Sequence, residues 1–351
     1  MMTTSSSTSS LKPEDIDVQG VLLRILPVVK QRFKNKIHEI RRLIKCVEDK
    51  IPLLKFSNNF STLGLIVSGI DGSNALKRFV GLDLAVISSV IATLRLEEEY
   101  SVSINPFANV EDITNPDADT LIDVLRTNLE LKTALEAIEK INPDVLFLDG
   151  ALVSSPVNKS MASRASTITN LIKENNTLLN NLIHSAEKKN LIIAGIVKRV
   201  RTALYLERII PKEVIRKLRL HDGLVLDSIL NEIQLKTGIR HLTKPVVLDK
   251  KKSQNNLAIF YIKPCRESSP IRVDIPTYLL SNESKMQKLL AVLFQTASPF
   301  DGTPLPIVLA HEFCTLHKGI IDAISQEISF SVAELGQKGM IFVTERRGSH
   351  V

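Results

Sequence analysis

Tryptophan is absent from the 351 residues, and aromatic residues together make up only 5%. With 44% of the chain hydrophobic, the core has to be aliphatic, built from Ile, Leu and Val. Cysteine is scarce: Cys46, Cys265 and Cys314 are far apart and odd in number. That argues against a disulfide framework and fits the reducing cytoplasm, where three buried or inert thiols are ordinary. No apolar run reaches the roughly 18–20 residues needed to cross a bilayer, so no membrane association is expected. The opening MMTTSSSTSSLKPEDID has neither the charged n-region nor the apolar h-region of a secretory signal. Residues 1–12 read as a disordered Ser/Thr-rich tail. No internal repeat follows, so 13–345 reads as a single domain, with an N-terminal helical region over about 15–55 and a core over about 60–330.

Acidic charge is the other shortage. The chain carries a net +7, and the excess is clustered. Residues 24–55 hold ten Lys/Arg against Glu39, Glu48 and Asp49, and residues 188–219 hold another ten against Glu207 and Glu213. Such clusters suit a polyanion, whose counterions are released when its phosphates are neutralised. They equally describe two solvated helix faces.

Apolar residues from Ile16 to Leu43 recur at three- and four-residue steps, which predicts a helix that Pro27 breaks or bends. Leu63–Ile70 is a short, partly β-branched run stopping at Asp71-Gly72-Ser73. Leu82–Leu94 and Glu99–Ile104 read as strands, Asp119–Ile141 as a helix ended by Asn142-Pro143, and Val145–Leu148 as a strand stopping at Asp149-Gly150. Further on, the pattern predicts a helix around 165–189, a strand at Leu191–Val197 and a basic helical region to about 235. Strands at Leu257–Ile262 and Ile271–Ile275 and helices near 284–296 and 307–329 complete it. Short links among the first three strands require antiparallel pairing, so the fold is an α/β domain with a mixed sheet.

Two strands ending in Asp-Gly are the central feature. Each would put a carboxylate at a strand mouth, with a glycine that lets the chain turn. Taken singly, either is an ordinary turn. If the two strands lie side by side and parallel, Asp71 and Asp149 project from one edge, where like charges call for a cation; hard carboxylate oxygens suit Mn²⁺ or Mg²⁺. Strand, strand, strand, helix, strand is also the opening of the ribonuclease H-like fold, which adds a helical carboxylate and a late ligand. Glu130, Glu136 and Glu139 are the candidates on the 119–141 helix, and periodicity does not choose among them. Glu130 shares a line with Ala134, Ala137 and Ile141, and Arg126 stands four residues before it, at ion-pairing distance on a helix.

The succession I-D-G-S, R-x-x-x-E-L-K-x-A-L-E, F-L-D-G-A-L, A-G-I-V-K-R, F-Y-I-K…R-V-D-I-P and P-L-P-I-V-L-A-H-E resembles the NurA family of DNA-end-processing nucleases. The order and spacing carry the resemblance, which covers most of residues 60–330. It implies a ribonuclease H-like mixed sheet flanked by helices, with Asp71, Glu130 and Asp149 as metal ligands and His311 as the late metal ligand or active-site histidine. It also implies that Lys198 contacts phosphate; as a residue type alone Lys198 is equally an ordinary surface lysine. The activity implied is Mn²⁺-dependent (Mg²⁺ as alternative) 5′→3′ exonuclease and single-strand endonuclease action in double-strand-break resection. The implied partners are single-stranded DNA and DNA ends, a HerA-type hexameric ATPase and a second copy of the chain in a homodimer. Ala151 stands where the family commonly carries serine, at a position that is no obligatory ligand. Tyr205 and Tyr261 read as structural residues, with strand positioning as the alternative.

Rival readings are a resolvase or another nuclease of this fold, and a catalytically silent DNA-binding adaptor of a translocating ATPase. Zinc is disfavoured: His311-x-x-Cys314-x-x-His317 on one helix would point its ends to different faces and offers no fourth ligand. Position 316 is Leu, so the zinc-protease helix motif is absent as well.

Overall fold

The structure, a computed structural model, describes residues 18–56, 60–81, 83–97, 101–113, 117–152, 166–249, 256–334 and 336. The Ser/Thr-rich tail expected over 1–12 lies outside them. The chain divides into two compact units, residues 1–51 with 203–221, and residues 52–202 with 222–351.

In the first unit, helix α1 (Val18–Val47) runs on through Pro27 rather than ending there. A single 3₁₀ turn at Leu206–Arg208 and a short helix, α4 (Lys212–Leu218), form the other segment. Lys217 lies 3.9 Å from Glu39 on α1. Leu22, Leu23, Ile25, Leu26, Val28, Val29, Phe33 and Ile37 of α1 are exposed.

The second unit is built on a mixed ten-stranded sheet. Strands β2 (Ile66–Arg78), β3 (Asp83–Arg95) and β4 (Ser101–Ile113) form an antiparallel meander. Helix α2 (Ala118–Glu136) then carries the chain back, so that β5 (Val145–Asp149) pairs parallel to β2. Helix α3 (Ser166–Lys188) does the same for β6 (Ile192–Val197) beside β5. Helix α5 (Asp222–Thr237) leads to the short β7 (His241–Thr243) and β8 (Val246–Val247). Next come β9 (Leu257–Ile262) and β10 (Ile271–Pro276), which are antiparallel, with β10 also antiparallel to β6. Strand β1 (Leu53–Lys55) closes one edge against β7. The order across the sheet is β1-β7-β9-β10-β6-β5-β2-β3-β4, with β8 beside β9. Helices α6 (Glu283–Gln295), α7 (Leu305–Cys314) and α8 (Lys318–Ala333) are the last among the described residues. This is the ribonuclease H-like arrangement expected.

The core is aliphatic, as the composition requires. On one face, Val67, Leu94, Phe147, Ala194 and Val273 of the sheet pack with Leu289 and Leu293 of α6 and Ile307 of α7. A second cluster joins Ala85 and Ile87 of β3 to Leu121 and Ile122 of α2 and Ile168 and Ile172 of α3. Burying each of the Val, Leu, Ile and Phe side chains among them contributes about 1.5–3 kcal/mol. Side chains alternate along a strand, and the glycines of β2 show the consequence. A Cβ on Gly69 would lie 2.4 Å from the Pro306 backbone of α7, whereas one on Gly72 would lie 2.6 Å from Oε1 of Glu130 on α2. Three residues apart on one strand, they face opposite sides, which puts α7 and α2 on opposite faces of β2.

Several boundaries differ from the sequence reading: the strand expected over Glu99–Ile104 runs as β4 to Ile113, and the helical region expected to about 235 consists of a 3₁₀ turn and two separate helices. The first long strand does not stop before Asp71; it continues to Arg78, because β3 pairs with it residue for residue, from Ile66↔Arg95 to Arg78↔Asp83. The expected helix over 307–329 is two helices. Thr315 is extended (φ −61°, ψ 119°), and side chains serve the carbonyls freed at the end of α7. Thr315 Oγ1 and Cys314 Sγ donate to the His311 carbonyl, and Ser88 Oγ donates to that of Cys314.

Candidate active site

The parallel β2–β5 ladder ends at the pair Ile70↔Leu148. Asp71 and Asp149, one residue further on, therefore occupy equivalent positions on neighbouring strands, which run about 4.8 Å apart. Beyond this point β5 stops and β2 continues with β3 alone, so the two carboxylates stand where the ladder opens. Asp71 belongs to the α7 face of β2, and His311 meets it there: Nδ1 of the imidazole lies 2.6 Å from Oδ2 of Asp71. On the far side of Asp149, Nζ of Lys198, just past the end of β6, lies 2.6 Å from Oδ2.

Glu130 arrives from α2. Its carboxylate occupies the space left by the missing side chain of Gly72, and Nη1 of Arg126 donates to it at 2.7 Å. The Glu130 carboxyl is pushed up to about 7, first by burial, which Arg126 opposes only partly, and then by the negative charges of Asp71 and Asp149. The Asp149 carboxyl is likewise raised, first by burial and then by Asp71, against the pull of Lys198. Cys314, buried at the end of α7, senses the same charges: burial and the fields of Asp71, Glu130 and Asp149 push its thiol up to about 12. Ligand atoms of Asp71, His311 and Cys314 all lie within 4.8 Å of one another.

The five residues singled out in the sequence thus come together. Glu136 and Glu139 do not join them. Glu136 pairs with Lys140, and Glu139 is exposed on the π-helical turn that follows α2. Of the three positions left open by periodicity, only Glu130 faces the other carboxylates. His317 sits exposed at the start of α8, on a different helix from His311. Tyr205 and Tyr261 are both buried. The Tyr261 hydroxyl donates to Asp222 at 2.5 Å, and burial together with that carboxylate raises its pKa.

Two supports escaped the sequence reading. Asp274 on β10, fully buried, accepts two hydrogen bonds from Arg272 (2.7 and 3.0 Å) and one from the backbone N–H of Leu152 (3.3 Å). The pair thereby fixes the turn that follows Asp149. Gly195 on β6 makes room for that turn, since a Cβ there would lie 2.6 Å from the Gly150 carbonyl oxygen. The R-V-D-I-P string contained the first signal, because two opposite charges two residues apart inside an apolar strand must be paired if buried.

The family profile described as the NurA domain matches residues 65–314. Among solved structures, the NurA nuclease from Sulfolobus solfataricus is similar, with 17% identity over 90% of this chain and 98% of its own and a TM-score of 0.64. A crystal structure of NurA with manganese is similar at 10% identity, over 90% of this chain and 99% of its own, with a TM-score of 0.51. Another crystal structure of NurA has 11% identity, covers 86% of this chain and 97% of its own, and gives a TM-score of 0.50. At these identities the likeness is one of fold. No curated protein matches the sequence.

Proposed function

The chain belongs to the NurA family of nucleases, and we propose that it is a Mn²⁺-dependent DNA nuclease whose metal is held by Asp71, Glu130, Asp149 and His311. The observation that carries this reading is the accumulation of three carboxylates with too few counter-charges. Glu130 keeps a proton up to about pH 7 because burial and its acidic neighbours disfavour the anion. A cation among them removes that penalty, and their hard oxygens suit Mn²⁺ or Mg²⁺. When bound, the metal supplies an acidified water and charge neutralisation at the leaving oxygen of a phosphodiester.

The remaining work belongs to the chain's own groups. Asp71 accepts a hydrogen bond from Nδ1–H of His311 and fixes the ring, which leaves Nε2 available to a metal or a proton. With the His311 side chain 62% exposed, that nitrogen is open to substrate. Lys198 neutralises Asp149, and in this reading it turns its ammonium to a phosphate oxygen when substrate binds. Arg199 and Arg201, exposed beyond it, add positive charge for the backbone on either side.

The finer reading is a 5′→3′ exonuclease and single-strand endonuclease in the cytoplasm, working on DNA ends with a HerA-type hexameric ATPase in break resection. No helix among the described residues is long and apolar enough to cross a membrane. The homodimer of this reading has a source of apolar contact area in the exposed Leu, Ile, Val and Phe side chains of α1. Single strands labelled at one end or the other, and a circular single strand, test the activity. Mononucleotide release from the 5′ end and opening of the circle are expected. Digestion from the 3′ end alone would overturn the polarity, and an intact circle the endonuclease activity.

A further inference from the structure

Phe300 is 88% exposed, more than any other large hydrophobic side chain among the described residues. It does not sit on a loose loop. Residues 297–304 form a tight hairpin between α6 and α7, closed by an Ala297↔Pro304 bridge and by Ser298 N–H···O=C Thr303 at 2.8 Å. Inside it, Asp301 accepts from the N–H and hydroxyl of Thr303 at 3.0 and 2.7 Å, and the N–H of Phe300 donates to Ser298 Oγ at 3.3 Å. The hairpin is fastened to the β9–β10 connection: Cys265 Sγ donates to the Ser298 carbonyl, and Gly302 (φ 77°) lies against Ser268 and Pro264.

That connection fixes where Phe300 stands. β10 starts beside the end of β6, with Arg272 opposite Val197. The β9–β10 connection and the hairpin on it therefore lie at the edge of the sheet from which Lys198 and Asp149 emerge. The Asp301 carboxyl is lowered despite partial burial, by its hydrogen bonds to Thr303 and Ser298 and by the charge of Lys198, which places that ammonium close by. An exposed benzyl group thus stands on a hydrogen-bonded support on the Lys198 side of the sheet.

We propose that Phe300 is a base-stacking contact, taking the face of one unpaired base of a single-stranded DNA substrate while Lys198 holds a neighbouring phosphate. The inference rests on the nuclease reading and adds a residue that selects for unpaired bases. Every base has a π-face, so the contact discriminates single from double strands without reading sequence. The hairpin's hydrogen bonds hold the backbone that carries the ring before binding, which reduces the entropy lost on contact.

The absence of tryptophan makes the test direct. In the full-length chain, Phe300→Trp introduces the sole indole, and its fluorescence can be titrated without divalent metal against a thymidine oligonucleotide. A chain of the same length and charge made of abasic units serves as the comparison. Quenching by the first and not by the second is expected. Equal responses to both, or none while anisotropy shows the oligonucleotide bound, would overturn the proposal. Phe300→Ala, with its fold checked by circular dichroism, is expected to bind single strands about five- to a hundredfold more weakly. Unchanged affinity would leave Phe300 as a protein-contact residue and sink the stacking role. Wild-type protein that neither binds nor cuts single strands would instead remove the nuclease reading itself.

Discussion

Nδ1 of His311 lies 2.6 Å from Oδ2 of Asp71 across 240 residues of sequence. Only the packing of α7 on β2 can make that contact, so the imidazole reports on the fold and on the chemistry together. His311→Ala is expected to slow cleavage at least about tenfold, the lower range of what a positioned acid–base group contributes. DNA affinity should change much less. His317→Ala, on the next helix, should be mild. Turnover unchanged in His311→Ala would contradict the placement.

The same packing can be attacked from beneath. A Cβ at Gly69 would lie 2.4–2.7 Å from backbone atoms of Pro306 and Ile307, and backbone cannot swing aside as a side chain does. Gly69→Ala is expected to cost about 1–3 kcal/mol in chemical denaturation and to reduce cleavage by moving α7, and His311 with it. Gly319→Ala, where nothing lies within 4 Å, is the control. Equal stability and activity in the two variants would show that α7 does not depend on this approach.

Glu130 gives a pH dependence whose sign is fixed. Its carboxyl rises from 4.5 to about 7 on folding. Between those values the folded chain binds the proton and the unfolded chain does not, so the stability of metal-free protein falls as pH rises through the window. In the presence of a chelator, the denaturation midpoint is expected to drop from about pH 5 to about pH 8. Glu130→Gln should lose much of that slope, the raised carboxyl of Asp149 retaining the rest. Superimposable profiles for the two proteins would mean that Glu130 is not held neutral.

Much of this was legible in the sequence because the informative residues sit at interruptions of strong local patterns. Asp71 and Asp149 interrupt apolar runs, and the strand–strand–strand–helix–strand order made their meeting on parallel neighbours a short step. The extent of β2 was not legible. Residues 71–78 lack an apolar alternation and owe their strand conformation to pairing with β3. Nor was the break at Thr315, since no glycine or proline marks it and the cap consists of side-chain hydrogen bonds specific to that corner. Choosing Glu130 over Glu136 and Glu139 needed the bare backbone of Gly72 opposite it, a contact between elements that no helical periodicity encodes. Phe300 was invisible for a related reason: a phenylalanine in sequence looks like core until its exposure is known.

The central claim is that Asp71 and Asp149 jointly hold the metal that cuts DNA. Its most direct test is Mn²⁺-dependent cleavage of labelled single-stranded DNA by the wild type, Asp71→Asn and Asp149→Asn, with circular dichroism and DNA binding measured on the same samples. Each change removes charge at nearly constant volume. The account expects cleavage by the wild type, abolished by a chelator, and none by either variant, with fold and DNA affinity largely kept. Wild-type rates in both folded variants would contradict it.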